Sequence, residues 1–384
     1  MTVLFAFFFV LFAFTFLGYP LIMLILARFR PCPVRRDGAP CPLSVVICGR
    51  DEGERIGARI ENILALDYPQ DLMEIVVVSD GSTDITDAVV ESYVDRAVKL
   101  VRLDVSRGKA AALNAGVGAA SGEVLLMCDA RQRFEPDVAK RLVSYFADES
   151  VGAVSGRLSI QPVSQTAAAS GVGAYWNYEV RLRANEAASG SVVGVTGAIY
   201  AVRKELFEPL PEGTILDDVL VPMRIVLAGR RVLYDEDAVA VDAKPVHDKG
   251  ELTRKVRTLY GNLQLFRLAP ELFSPVSNPL WFRFVSHKIL RLFLPAMLAG
   301  CLVTSLSAGG VLFAFGLVQL AFWLGAVIAW RVGLKGFPWG TLAGFLLLNA
   351  AVVLAWRTFL SGESEVWSRA SSHDSSGKFG GSNP

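Results

Sequence analysis

Residues 43–84 read LSVVICGRDEGERIGARIENILALDYPQDLMEIVVVSDGSTD. An apolar run over 43–49 is followed by Ile56, Ile60, Ile63 and Leu64 at helical spacing, and then by a second apolar run that stops at Asp80. Short apolar runs without strict alternation mark strands buried on both faces, as in parallel sheets. The pattern continues outward with KLVRLD (99–104) and EVLLMCD (123–129) as further strands. The Ala-rich KAAALNAGVGAA (109–120) is a helix between them, and EPDVAKRLVSYF (135–146), with Pro136 near its first turn, is a helix after them. The order βαβαβαβα predicts an open α/β sheet. Such sheets bind ligands beyond the carboxyl ends of their strands. Three strands here end in acidic or small polar clusters: CGRDE (48–52), SDGSTD (79–84) and CDAR (128–131). Neither GxGxxG nor GxxxxGK[ST] follows any of them, which excludes the dinucleotide fingerprint and the P-loop.

The flanks are of a different kind. The chain has 384 residues, 38 Lys+Arg against 37 Asp+Glu and 52% hydrophobic residues, a near-neutral balance that argues against nucleic acid as a partner. Residues 1–27, 292–330 and 336–356 carry no charge at all. The first run is too long for a signal-peptide core and lacks a basic leader, so residues 1–28 are expected to form a transmembrane helix. Arg28, Arg30, Arg35 and Arg36 follow it, which places its C-terminal end in the cytoplasm by the positive-inside bias. Residues 269–290, with Trp281, Phe282 and Phe284, are expected to be an interfacial helical segment. Residues 291–360 are expected to hold about three transmembrane helices, split near SLSAGG (305–310), the last of them either spanning or re-entrant. The Ser/Gly-rich tail 361–384 is expected to be disordered. Cys32, Cys41, Cys48, Cys128 and Cys301 show no CxxC spacing, and His247, His287 and His373 are scattered. That pattern fits reduced thiols and argues against a His-based nucleophile or a zinc site.

Within 42–268, the run over 45–86, then SRGKAAALNAG (106–116) and the strand ending at Asp129, resembles the donor half of glycosyltransferase family 2, the inverting GT-A enzymes that use nucleotide sugars. VTGAIYAVRK (195–204), LDDVLVPMRIVLAGRRVLYDEDAVA (216–240) and RKVRTLYGNLQ (254–264) extend the likeness to an acceptor half. The membrane layout is similar to that of the family's polysaccharide and glycolipid synthases. The resemblance implies a Rossmann-like GT-A fold.

It also implies roles. Asp51 and Glu52 would contact the nucleoside. Asp80 would accept a hydrogen bond from uracil or ribose, with Gly81 letting the chain turn close to the base; taken alone, DGS is also an ordinary turn capped by Asp80. Lys109, at a helix start, suits a diphosphate, and Asn114 on the same helix joins the donor site by resemblance; taken alone, Lys109 is a solvated lysine. Asp217 and Asp218 stand where the family has Glu-Asp, with Arg224 matching a later Arg. Asp218 would be the general base, held by Asp217; taken alone, the two are helix N-terminal acids. RKVRTLYGN aligns with the QxxRW segment of processive synthases. Arg257 keeps the phosphate contact, while Arg254 replaces the Gln and Thr258 the Trp that lines the acceptor entrance. Arg257 is equally readable as part of a basic membrane-surface helix.

CDAR departs from the family. Most relatives end this strand in Asp-x-Asp, the second Asp holding Mg²⁺ or Mn²⁺ against the diphosphate. Arg131 cannot ligate a metal. Either its guanidinium supplies the charge directly, or Asp129 and another acid still hold the ion. The expectation taken forward is an altered Mg²⁺ or Mn²⁺ site at Asp129.

The expected protein is a multi-pass enzyme of the inner (plasma) membrane with a cytoplasmic catalytic domain. It passes a hexose from a nucleotide sugar, a UDP-sugar first, to a lipid-linked or growing polysaccharide acceptor, with export-machinery proteins as further partners. The alternatives are a single-addition glycolipid synthase acting on a ceramide- or hopanoid-type lipid, and an inactive subunit of an export complex. A reporter fused after Arg36 is expected to read as cytoplasmic; a periplasmic signal there overturns the orientation and, with it, access to nucleotide sugars.

Overall fold

The computed structural model describes residues 1–160, 167–242, 251–334 and 336–362. His247, His373 and all but the first two residues of the Ser/Gly-rich tail lie outside the described residues. The chain opens with α1 (Thr2–Ala13), a π turn (Phe14–Gly18) and α2 (Tyr19–Phe29). Together these run as one 28-residue helix, long and apolar enough to cross a membrane.

The four apolar runs form β1 (Leu43–Gly49), β2 (Met73–Asp80), β3 (Val98–Leu103) and β4 (Val124–Asp129), paired in parallel in the order β3-β2-β1-β4. Between them run α3 (Gly53–Leu64), the short α4 (Thr86–Glu91) and α5 (Lys109–Ala119). β5 (Arg133–Phe134) and α6 (Val138–Ser144) follow. The chain then adds β6 (Val151–Ile160), α7 (Ala167–Ala188), β7 (Ile199–Arg203), α8 (Asp217–Leu227), β8 (Arg231–Asp242) and α9 (Glu251–Leu268). The sheet has eight strands in the order β3-β2-β1-β4-β7-β6-β8-β5. It is mixed where the sequence pattern predicts parallel pairing alone, because β7 runs antiparallel to both of its neighbours and β5 antiparallel to β8.

Alternate side chains divide the core in two. Val46, Val76, Val78, Leu125 and Met127 pack with α5 and α8, whereas Val45, Ile47, Ile75, Val77 and Leu126 pack with α3 and α6. Each such side chain, fully buried, contributes about 1.5–3 kcal/mol. The sheet order puts the ends of β1, β2, β4, β6 and β8 on one edge. The start of β7 joins them there, since Ile199 sits opposite Cys128. That edge is the place a doubly wound sheet offers a ligand.

Beyond α9, a helical run from α10 (Trp281–Phe284) through tight turns into α11 (Leu294–Ala308) makes a second candidate span, Trp281–Ala308. Residues 281–290, expected at the interface, are thus continuous with the first C-terminal span. No Gly or Pro interrupts them, and Pro295 falls in the first turn of α11, where it is tolerated. Gly309 (φ +74°) and Gly310 (φ +57°) turn the chain into α12 (Gly310–Val332), and α13 (Trp339–Ser361) follows; both are also long and apolar enough to span. α13 packs on α9, so its Ala351 and Ala355 share a core with Val256 and Tyr260.

A buried polar chain joins the first helix to α7 and the second span. The Tyr19 hydroxyl donates to Glu186, His287 Nδ1 lies 2.8 Å from the same carboxylate, and His287 Nε2 lies 3.2 Å from Glu179. Arg291 donates to Glu179 at 2.5 Å. Buried charges persist when paired in this way.

α5 lies close on the sheet. A Cβ at Gly116 would stand 2.6 Å from Val46 Cγ1 and 2.9 Å from Val78 Cγ2. Gly116→Val is expected to cost about 1–3 kcal/mol by overpacking, read as a lower thermal unfolding midpoint in detergent. An unchanged midpoint would mean that α5 is free to lift off the sheet.

Candidate active site

The first two strand ends are laced to each other. Asp51 takes a left-handed backbone (φ +54°) just beyond β1, and its Oδ1 accepts from the Thr83 backbone N–H at 2.7 Å. The Asp51 N–H donates to Ser82 Oγ (3.1 Å), the Glu52 N–H to Thr86 Oγ1 (2.8 Å) and the Gly53 N–H to Asp84 Oδ2 (2.9 Å). The Glu52 carboxylate pairs with Arg55 at 3.1 Å. This shapes a backbone shelf after β1 and β2.

Asp80 turns toward the loop ahead of α5. Its Oδ1 accepts from the Arg107 N–H (2.8 Å), and its Oδ2 from Ser106 Oγ and the Gly108 N–H (both 2.9 Å). Gly81 (φ +63°) makes this approach possible, because a Cβ there would meet Ser106 N at 2.5 Å. A strand-end carboxylate thus holds the loop that starts α5, which sets the place of Lys109.

Lys109 is the centre of the site. Its Nζ lies 3.4 Å from Asp129 Oδ1 at the end of β4 and 3.4 Å from Asp217 Oδ2 in the first turn of α8. Burial alone would lower this ammonium; Asp129, Asp217 and Asp218 more than offset it and hold it well above the usual lysine range. Asp217 is buried and its Oδ2 has no hydrogen-bond partner among the described residues; the same holds for Asp218 Oδ1. Burial, with the Asp217 charge beside it, pushes Asp218 up to about 6, against the lowering pull of Lys288, Lys109 and Arg183. Gly197 leaves the front of this carboxylate open: a Cβ there would lie 3.4 Å from Asp218 Cβ and 3.5 Å from Lys109 Nζ.

The segment leading into Asp217 is clamped from three sides. Asn114 brackets Leu210, donating to its carbonyl and accepting from its N–H, both at 2.8 Å. Arg224 donates to the Pro209 carbonyl at 3.0 Å. Gln264 accepts from the Ile215 N–H at 3.0 Å and donates to the Gly213 carbonyl at 2.8 Å. Gly261 lets α9 press close, since a Cβ there would stand 2.6 Å from Leu216 Cγ. Asn114, read from the sequence as a donor contact, therefore has its amide engaged with the backbone of the segment before α8. Gln264 was not singled out by the sequence; the only signal for it was its place three residues after Gly261.

Arg131 lies at the same edge but faces β8. Its Nε and Nη2 donate to Asp242 Oδ2 at 3.1 and 2.7 Å, and Gln132 adds a bond at 3.3 Å. Arg254 is exposed and Arg257 half-buried on α9. Neither forms an ion pair among the described residues.

Residues 44–210 match the description of glycosyl transferase family 2. The β-monoglucosyldiacylglycerol synthase of Synechocystis sp. is 27% identical over 190 residues, 48% of this chain and 40% of that protein. The poly-β-1,6-N-acetyl-D-glucosamine synthase of Staphylococcus epidermidis is 24% identical over 224 residues, 57% of this chain and 54% of that one. The chain thus spans about half the length of the curated relatives it matches. A mannosyltransferase from Pyrobaculum calidifontis, solved with GDP-Man and Mn²⁺, superposes with a TM-score of 0.70 at 26% identity, covering 93% of this chain and 99% of its own.

The described residues do not by themselves assemble a divalent-metal site. Asp129 is 39% exposed and faces Lys109, Arg131 stands where a second carboxylate would serve, and no group of three His, Cys, Asp or Glu among the described residues could hold an ion.

Gln264→Leu removes both bonds to residues 213–215; the exposed Gly213 carbonyl turns to water while the part-buried Ile215 N–H loses its partner, at about 0.5–1.5 kcal/mol. Faster amide hydrogen exchange over 213–218 is the expected result, and unchanged exchange would remove Gln264 from the clamp.

Proposed function

From the premise that this chain is a glycosyltransferase whose residues 44–210 belong to family 2, we propose that it transfers a hexose from a nucleotide sugar, a UDP-sugar first, with inversion at the anomeric carbon. The acceptor is lipid-linked or a growing polysaccharide at the membrane. The observation that carries the reading is Asp218: a carboxylate with one unpartnered oxygen, raised to about 6, beside a buried Asp217 that faces the Lys109 ammonium.

In this mechanism the acceptor oxygen forms a bond to the anomeric carbon while the bond from that carbon to the diphosphate oxygen breaks. The electron pair leaves on the diphosphate, and the acceptor proton goes to Asp218. General-base action of this kind accounts for roughly 10²–10⁴-fold in rate. Lys109 and the free N–H groups at the start of α5 face the departing negative charge. Asp51, Glu52, Asp80 and Gly81 border the nucleoside, Asp80 acting mainly through the loop it holds. Arg131 and Arg257 are further cations for the donor phosphates, and Asn114 acts through Leu210. Dependence on Mg²⁺ or Mn²⁺ is a property the family likeness suggests; no step here is routed through an ion, since the described residues do not form its site.

Thr258 in place of the aligned Trp favours single addition to a glycolipid over processive synthesis. The four candidate spans and the arginines after the first support a multi-pass protein of the plasma membrane with its catalytic domain in the cytoplasm. Export-machinery proteins are partners only on the polysaccharide reading.

Asp218→Asn keeps shape and removes the base. Nucleotide-sugar binding is expected to persist in calorimetry while transfer falls by about two orders of magnitude or more. In the parent, Asp218 acts when deprotonated, so kcat/KM should decline below about pH 6 as the carboxylate takes up its proton. Turnover of Asp218→Asn within about threefold of the parent would remove Asp218 as the base.

A further inference from the structure

Two cations besides Lys109 act on Asp218, Arg183 and Lys288. Arg183, on α7, donates from Nη1 to Thr196 Oγ1 at 3.0 Å. Lys288, in the second candidate span, reaches Gly194: a Cβ there would lie 3.5 Å from Lys288 Nζ and 3.4 Å from the Asp218 carbonyl oxygen. Both side chains therefore converge on residues 194–197, the strip that borders Asp218, and both pull on its carboxyl.

Among the described residues their charge is only partly balanced. Both residues are half-buried, and neither forms an ion pair among the described residues. Glu179 is taken by His287 and Arg291, Glu186 by Tyr19 and His287, and Asp217 faces Lys109. Among the described residues, the carboxylates that act on these two cations are Asp218 and the already engaged Glu179, so Arg183 and Lys288 share one carboxylate that no ion pair occupies. Removing a cation from water without a paired anion is costly, so the arrangement has room for one more negative group.

We propose that Arg183 and Lys288 form an anion-binding acceptor subsite beside Asp218, and that it holds the phosphate of a lipid-borne acceptor. The claim that the anion belongs to an acceptor rests on the reading of Asp218 as the base. The lipid source follows from placement: Lys288 belongs to the span Trp281–Ala308, and α7 packs through Leu182 against Tyr19 and Met23 of the first span. An anion meeting both cations therefore sits where the chain enters the membrane. Guanidinium and ammonium together suit a phosphate, the first as a fork and the second as a point charge. The acceptor hydroxyl is then presented to Asp218 while its phosphate stays on the membrane side, away from the donor diphosphate at Lys109.

The test uses the full chain in neutral detergent, with dioctanoyl phosphatidic acid, dioctanoylglycerol and inorganic phosphate as probes in native mass spectrometry. The parent is expected to prefer phosphatidic acid over dioctanoylglycerol by about tenfold or more, the scale of a charge-assisted contact. Lys288→Gln and Arg183→Gln should each remove most of that preference, and the charge-preserving Lys288→Arg should retain it. Equal binding of the two lipids by the parent, or an unaltered preference in both Gln variants, overturns the subsite. Inorganic phosphate binding as tightly as phosphatidic acid overturns its lipid-borne half. A tenfold loss of UDP affinity in the Gln variants assigns the cations to the donor and overturns it as well. Failure of the base reading would show separately, as Asp218→Asn retaining transfer while lipid preference is untouched.

Discussion

The Lys109 ammonium joins two halves of the site that no local structure could bring together. Asp129 comes from the end of a parallel strand and Asp217 from the start of a helix far along the chain, and Lys109 lies 3.4 Å from each. Without the cation, Asp129, Asp217 and Asp218 would be left around one point with no opposite charge between them, and mutual repulsion would favour the neutral form of the more buried ones. With it, Asp217 stays buried and the burden of burial shows on Asp218, raised to about 6. The same charge arrangement that steadies the edge raises one carboxylate toward near-neutral pH, as the proposed base requires.

Placing Lys109 depends on Asp80 and placing Asp217 depends on the clamp. Three donors converge on the Asp80 carboxylate and fix the loop before α5. The side-chain amides of Asn114 and Gln264 each satisfy one N–H and one C=O of the segment before α8. A two-point amide bracket holds a loop in translation and rotation at once, which a single hydrogen bond does not. The two loops also meet directly, through an ion pair between Arg107 and Glu212. α9 therefore serves the site as a brace, through Gly261 and Gln264, whatever its arginines do.

The candidate spans are coupled to this frame. α13 packs on α9, and the Tyr19, Glu186, His287, Glu179 and Arg291 chain ties the first helix to α7 and to the span that carries Lys288. A buried network of this kind is strongly destabilised if one partner is removed, so the position of α7 and Lys288 relative to Asp218 is held by groups that never touch the site.

The sequence by itself determined what depends on neighbours within a few positions. Apolar runs specified β1 to β4, the Ile spacing specified α3, and the long uncharged runs marked the segments able to cross a membrane, because burial on two faces, helical period and span length are all written locally. It also marked Asp51, Asp80, Asp129 and the Asp217–Asp218 pair as strand-end and helix-start acids. Only the tertiary structure decided their partners. Asn114 lies on a helix in either reading, but its amide meets Leu210 because the chain returns there after β7. Arg131 follows a strand in either reading, but its fork meets Asp242 because β8 closes the sheet beside β6. β7 and β8 themselves escaped the pattern, being short or rich in acids, and so did the approach of Arg183 and Lys288 to Asp218. Contacts between residues distant in sequence depend on where the chain comes back, and that is set by the packing of the whole sheet and its helices rather than by any stretch of sequence.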